Sequence, residues 1–250
     1  MVRPGLLVLI ASCSFTPPAS DGDGGMDSRT ADGGGDAFSD GNIVGATATF
    51  DASKFVSAGG VATVSWTHTA SGTSRLVVVA VSQTNSGSAV TAVTYGGAAM
   101  TLLGTKINTT KSIAISMFKL VAPPTGPQPV VMAFAGTVTV VAGSISFTSV
   151  DQITPTGSFV SAAGGDPPPS PSVTVPSAKT DLVMDTIVVD TNPSNITPGA
   201  LQTERWNTSN NMWAAASTKP GEEASTATSW TENGSPDDWA MGAVSIHGGN

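Results

Sequence analysis

Two histidines, His68 and His247, are the chain's whole stock of near-neutral general bases. Cys13 is the only cysteine, and no Gly-x-Ser-x-Gly elbow occurs, so a hydrolytic triad would have to assemble from scattered Ser and Asp. Each histidine reads as a surface residue at a strand end, and no pair of ligands has the helical or hairpin spacing of a zinc site. Carboxylates are the other route to chemistry, because a glycosidase needs only two. Glu204, Glu222, Glu223, Glu232, Asp237 and Asp238 gather in the last quarter. Yet Glu222-Glu223 follows Pro220-Gly221, and Asp237-Asp238 follows Gly234-Ser235-Pro236, which makes all four read as solvated loop tips.

Aromatic residues give a stronger indication of binding. Trp206, Trp213, Trp230 and Trp239 lie in the C-terminal half, with Trp66 alone outside it. An indole face stacks on a sugar ring while its N–H remains available for a hydrogen bond. Trp206 and Trp213 flank Asn207-Thr208-Ser209-Asn210-Asn211, an amide-rich stretch suited to hydroxyl recognition. The expected ligand-contact set is therefore Trp206, Asn207, Asn210, Asn211, Trp213, Glu232, Asp237 and Trp239. The competing reading is that these indoles close a core, as Trp66 does beside Val64.

The elements that must carry these residues are strands. From Ile43 onward, short β-branched runs alternate with turn residues, the spacing of an all-β, antiparallel two-sheet sandwich. Candidate strands are 44–50, 61–68, 75–84, 90–95, 98–105, 112–121, 129–136, 140–149, 172–176, 181–189, 200–206, 212–218, 224–231 and 239–247. In 112–121, Ile113, Ile115 and Met117 share one face, while Ala114, Ser116, Phe118 and Leu120 share the other. In 239–247, Ala240, Gly242, Val244 and Ile246 oppose Trp239, Met241, Ala243 and Ser245. Leu76 to Val81 is apolar without a break and belongs in a central strand buried on both faces. Gly59-Gly60, Gly96-Gly97, Pro123-Pro124, Pro167-Pro168-Pro169, Asn192-Pro193 and Asn233-Gly234 separate the runs. Charged residues are only 11% of the chain, little material for amphipathic helices.

An internal repeat runs through this series. Arg75-Leu76-Val77-Val78-Val79 is echoed by Asp181-Leu182-Val183-Met184, and Gly143-Ser144-Ile145-Ser146-Phe147 by Gly242-Ala243-Val244-Ser245-Ile246. The echoes keep their order, giving pseudo-halves at about 44–150 and 172–247 with 151–171 as the crossover. Each half alone is small, so the two are expected to share one core.

Upstream, Arg3 and the apolar run Leu6-Leu7-Val8-Leu9-Ile10 read as an export signal over residues 1–12. Ile10-Ala11-Ser12-Cys13 resembles the lipobox of bacterial lipoproteins, which implies cleavage before Cys13, acylation of Cys13 and a membrane partner; Ser14 after it implies outer-membrane sorting. The lone Cys13 has no intrachain disulfide partner. Residues 14–42 hold six Asp against Arg29 alone, with Phe15, Met26 and Phe38 as the sizeable apolar side chains. That stretch is expected to stay disordered as a tether of roughly 30 Å span. Asp21-Gly22-Asp23-Gly24-Gly25 lacks the EF-hand's third ligand and its glycine position, so no metal is implied.

Val93-Thr94-Tyr95-Gly96-Gly97-Ala98-Ala99-Met100-Thr101-Leu102, Leu120-Val121-Ala122-Pro123-Pro124-Thr125-Gly126, Ser146-Phe147-Thr148-Ser149-Val150-Asp151-Gln152 and Trp239-Ala240-Met241-Gly242-Ala243-Val244-Ser245-Ile246 resemble a β-sandwich domain recurrent in bacterial secreted and phage-associated proteins. The resemblance spans nearly all of 44–247. It implies a jelly-roll-like, lectin-like shape and an extracellular location, and it implies no reaction.

A net charge of −8 with no basic stripe argues against nucleic acid as a partner. No cofactor is implied. The sequence therefore reads as an exported, lipid-anchored surface module for binding or adhesion, with glycans as one ligand class. A self-assembling structural component and a glycoside-active enzyme are the alternatives.

Overall fold

The computed structural model describes residues 45–165, 170–191 and 193–249, so the leader, Cys13 and the Asp-rich stretch lie outside the described residues. Among the described residues every regular element is a strand and every pairing is antiparallel. The first seven are β1 (Thr49–Ala70), β2 (Leu76–Thr84), β3 (Val90–Tyr95), β4 (Ala98–Ala99), β5 (Thr101–Asn108), β6 (Ile113–Val121) and β7 (Gly126–Thr148). The second series is β8 (Val160–Gly164), β9 (Ser172–Ser177), β10 (Leu182–Val189), β11 (Pro193–Pro198), β12 (Thr203–Ser209), β13 (Trp213–Pro220), β14 (Ala224–Gly234) and β15 (Trp239–Ile246).

The expected runs 44–50 and 61–68 are joined in β1, and 129–136 and 140–149 are joined in β7. Gly59-Gly60 bends the strand instead of ending it. Gly60 takes φ +66°, and the β1–β7 register slips between Ala58 and Val61 and again between Val61 and Thr63. Such bulges add local twist and let one strand pass from one layer to another. The seven-stranded sheet, ordered β4-β3-β7-β2-β6-β5 with β1 on β7, thereby folds over its own side chains. Val77, Val79 and Val81 of β2 meet Val93 and Tyr95 of β3, Val130 and Met132 of β7, and Trp66 of β1 in one buried cluster.

The second half repeats this diagram with the long strands cut. Its five-stranded sheet runs β12-β13-β10-β15-β8, and its three-stranded sheet runs β11-β14-β9. β10 sits between β13 and β15 as β2 sits between β6 and the C-terminal part of β7. Even the irregularities recur: β5 slips between Leu102 and Gly104, and β12 between Glu204 and Trp206. β3 slips between Val90 and Ala92, and β11 between Pro193 and Asn195. The halves are thus structural repeats, each a small antiparallel sandwich.

They share a core, and each adds its own. Leu76, Val78, Ile113, Ile115, Met117 and Ile145 from the first half pack against Met184, Val188, Ala214, Ala216, Val244 and Ile246 from the second. The inner faces of the two halves therefore lie against each other, and on the far side the first half's inner strands are covered by the folded-over part of the same sheet, the second half's by its three-stranded sheet. Runs such as Leu76–Val81 are buried on both faces because both faces of an inner sheet are covered. Glycines allow close approach in this shared core. A methyl group on Gly143 would sit 2.7 Å from the Trp206 ring, and one on Gly242 would sit 2.6 Å from Phe159.

Candidate binding groove

The late tryptophans divide between interior and wall. Trp206 is buried in the core shared by the halves, where its ring stacks on Phe55 at 6.5 Å. Trp239 and Trp230 are buried in the inner core of the second half. Trp213 is half-buried at that core's margin, and its Nε1 donates to the Pro193 carbonyl at 2.8 Å. The amide-rich stretch between Trp206 and Trp213 is mostly strand β12 and a tight turn, with Asn211 at φ +50°. Two of its amide N–H groups are spent internally: Asn207 Nδ2 donates to the Ile196 carbonyl at 2.7 Å, and Asn210 Nδ2 donates to Ser57 Oγ at 2.9 Å, while Asn207 Oδ1 is buried without a partner. Asn211 is exposed.

The acidic residues require a correction. Glu222 and Glu223 are exposed, but Asp237 and Glu232 are buried. The Asp237 backbone N–H donates to Glu232 Oε2 at 2.7 Å, and Asp237 Oδ1 pairs with Lys111 Nζ at 3.1 Å. Lys111 reaches Asp190 Oδ2 at the same distance. A turn of the first half is thus held by two carboxylates of the second. The Pro-Asp-Asp sequence looked like a loop tip because the lysine that covers it is more than a hundred residues away.

His68 also departs from expectation. It is buried, with its Nε2 3.0 Å from Ser146 Oγ, which donates to Asp51 Oδ2 at 2.7 Å. Serine, histidine and aspartate do meet, but in the wrong order for a nucleophile. The serine proton goes to the carboxylate, and the imidazole N–H is left to point at the serine. Burial pushes the His68 pKa down to about 4, against the opposing pull of the Asp51 charge. His247 lies near the C-terminus, with Nδ1 2.6 Å from the Thr154 carbonyl. Among the described residues no three His, Cys, Asp or Glu side chains gather to hold a metal ion.

A second polar group is buried in the other half. Asp185 lies fully inside the second half's inner core. Its Oδ1 accepts from Trp230 Nε1 at 3.1 Å and from the Ser217 backbone N–H at 3.2 Å. Oδ2 accepts from Ser217 Oγ at 2.9 Å and from Gln202 Nε2 at 3.0 Å. Desolvation outweighs these donors and pushes the Asp185 pKa up to about 7. With no opening to solvent at its side chain, the group holds strands together.

The open feature is on the first half. Beyond the short β3–β4 margin, the inner sheet continues as β6 and the edge strand β5, leaving a hollow of about 220 Å³. Val90 and Ala89 form one wall, Ala114, Ser116 and Phe118 of β6 a second, and Leu102, Thr105 and Ile107 of β5 the rim. Leu102 is 52% exposed and Ile107 43%. The polar groups here already have partners: Thr105 Oγ1 and Ser116 Oγ are 2.8 Å apart, and Gln83 Nε2 donates to the Ser88 carbonyl at 2.9 Å. The hollow thus offers apolar surface with little free hydrogen-bonding capacity, the composition of a small-ligand site.

No family model, curated protein or solved structure matches this chain. What the molecule does must then be argued from this hollow and from the leader, since a sandwich by itself does not specify an activity.

Proposed function

We propose that this chain is an exported, lipid-anchored surface protein whose sandwich is a binding module, with the β3–β5–β6 hollow as its ligand site. The observation that carries the ligand site is the pair Leu102 and Ile107, which keep large apolar side chains at the rim of a partly open, mainly apolar hollow. Burying that surface under a ligand yields about 25 cal/mol per Å². The anchor rests on the lipobox-like Ile10-Ala11-Ser12-Cys13. Glycans are poorly served by this site, because sugar hydroxyls need free partners and the hollow has few. At the Trp206–Trp213 hairpin the Asn207 and Asn210 N–H groups are engaged too.

The site is tested by titrating small aromatic, aliphatic and sugar compounds into isotopically labelled full-length protein. Saturable shifts at Val90, Leu102, Ile107 and Phe118 support the reading; shifts confined to the Trp213 hairpin, or none, refute it. For the anchor, Cys13→Ser should move the protein from the membrane fraction to the soluble one and abolish metabolic acyl labelling. Unchanged fractionation would count against it.

A second reading has one observation of its own. β5 is the edge of its sheet and carries the same two exposed apolar residues, so another copy could pair there. Sedimentation decides between them, since self-pairing would raise the mass with concentration and Leu102→Lys would reverse it.

A further inference from the structure

We propose that the hollow in the first half takes a small planar aromatic compound bearing a ring N–H, of the indole class. This inference rests on the hollow's being a ligand site, and the second half supplies the argument for its occupant. Ala114 and Trp213 hold equivalent places in the two repeats. Ala114 lies between Gln83 of β2 and Ile107 of β5, as Trp213 lies between Val189 of β10 and Ser209 of β12. In the second half the Trp213 ring packs against the inner core, and its N–H is bound to the Pro193 carbonyl. Pro193 opens β11 opposite Gly234 just as Val90 opens β3 opposite Phe134, and Val90 lines the hollow. One repeat therefore carries its own indole where the other, with alanine, is open.

Three of the surrounding positions have diverged in the sense an external ligand would require. Where the plugged half has Glu204, Ser209 and Ser217, the open half has Leu102, Ile107 and Phe118. At two inner positions the open half is the more polar, with Gln83 and Ser116 where the filled copy has Val189 and Ala215. Those two are bonded to Ser88 and Thr105, so the added apolar surface is that of Leu102, Ile107 and Phe118. The volume of about 220 Å³ is below the roughly 300–1,000 Å³ of drug-sized sites, which limits the occupant to one small ring system. By register, Val90 stands where the plugged copy has Pro193, whose carbonyl is the acceptor of the Trp213 N–H. An aromatic ring with one N–H matches that inventory, whereas a sugar ring would bring several hydroxyls against apolar side chains and against Gln83, Thr105 and Ser116, which are already bonded to other groups.

The test is titration of indole into the labelled full-length chain, with 1-methylindole and cyclohexanol in parallel. Indole should bind saturably with shifts at Val90, Ala114 and Phe118. 1-Methylindole should bind roughly five- to tenfold more weakly through loss of one hydrogen bond. Ala114→Trp, which installs the second half's plug, should weaken indole at least tenfold. Should that variant misfold, the paired exposed changes Leu102→Ser and Ile107→Ser should weaken indole several-fold with the thermal transition retained. Equal binding of indole and 1-methylindole, or binding indifferent to these variants, overturns the assignment. Cyclohexanol binding at these residues without indole would remove the aromatic ligand and leave the ligand site standing. Silence from all three compounds would remove both. A Trp-containing peptide that displaces indole at far lower concentration would overturn a free small molecule as the occupant.

Discussion

The indole N–H of Trp230 is bonded to the Asp185 carboxylate, 3.1 Å away, in a place where the first half of the molecule has only hydrocarbon. Val79, Phe118 and Val130 are the equivalents of Asp185, Ser217 and Trp230, as the strand registers show. The exchange conserves space: the large ring moves from β6 to β14, and the serine that replaces it satisfies the carboxylate. One sandwich is thus closed by packing and its repeat by packing around a buried acid.

That acid makes the second half's stability depend on pH. The folded pKa of Asp185 is about 7 and the ordinary value 3.8, so the folded state binds more protons between them. Its contribution to stability therefore falls as pH rises from about 4 to about 7, by at most about 1.4 kcal/mol per pH unit. Asp185→Asn should remove this fall. Urea unfolding midpoints at pH 4.5 and 6.5 check it: the variant should gain more stability over that interval than the parent. An identical slope in both would show that Asp185 ionises freely when folded.

His68 works in the opposite direction over much of the same range. Its folded pKa of about 4 lies below the ordinary 6.5, so the unfolded state takes up the proton first as pH falls. The stability of neutral, buried His68 is present above 6.5 and lost between about 6.5 and 4. His68→Gln keeps a donor for Ser146 and should remove this acid sensitivity, exposing the Asp185 term as a decline with rising pH. The same urea series, run on this variant, provides the measurement.

The alternation within single strands was legible in the sequence, and the burial of the strands shows it. Ile113, Ile115 and Met117 do face one core and Phe118 the other, and Ala240, Val244 and Ile246 do oppose Met241 and Ala243. Leu76–Val81 is buried on both sides. Strand continuity was less legible, because Gly59-Gly60 has the same composition whether it ends a strand or bends it. β11 was hidden by Asn192-Pro193, since proline is tolerated where an edge strand begins. The hollow was hidden for another reason. Leu102 and Ile107 look like ordinary core residues until the repeat is aligned by register and their partners prove to be Glu204 and Ser209. Burial of His68 and Asp237 depends on residues distant in sequence, which local pattern does not record.

Gly143 offers a test of how tightly the halves meet. Gly143→Ala would drive a methyl group into the Trp206 ring, at 2.7 Å, with Phe55 stacked on that ring. Overpacking of this kind costs about 1–3 kcal/mol. Adding Trp206→Leu should recover part of the loss, giving a non-additive double mutant in thermal melts. Gly143→Ala with an unchanged melting temperature would mean that the interface yields.

Lys111 should matter more than its exposure suggests. It pairs Asp190 and the buried Asp237, both from the opposite half, and these carboxylates hold its pKa above the usual lysine value. Lys111→Met leaves Asp237 without its cation, so the melting temperature should fall. Combined with Asp237→Asn, the further loss should be small, since the charge that needed the lysine is gone. Additive losses would show that Lys111 acts only through its stem.

The plug of the second half can be drawn out to ask whether the repeat is latently a binding site. Trp213→Ala removes a half-buried indole and its bond to the Pro193 carbonyl, which should cost about 2–4 kcal/mol, toward the lower end for a partly exposed ring. The space left keeps an acceptor with the same placement as before, so added indole should re-enter it and raise the melting temperature in proportion to the logarithm of its concentration. Two sites per chain should then appear where the parent has one. The new site's neighbours Asn207 and Ser209 should shift along with the first half's Val90. If indole stabilises the parent and the variant equally, the Trp213 hollow has collapsed, and the equivalence of the two repeats ends at their backbones.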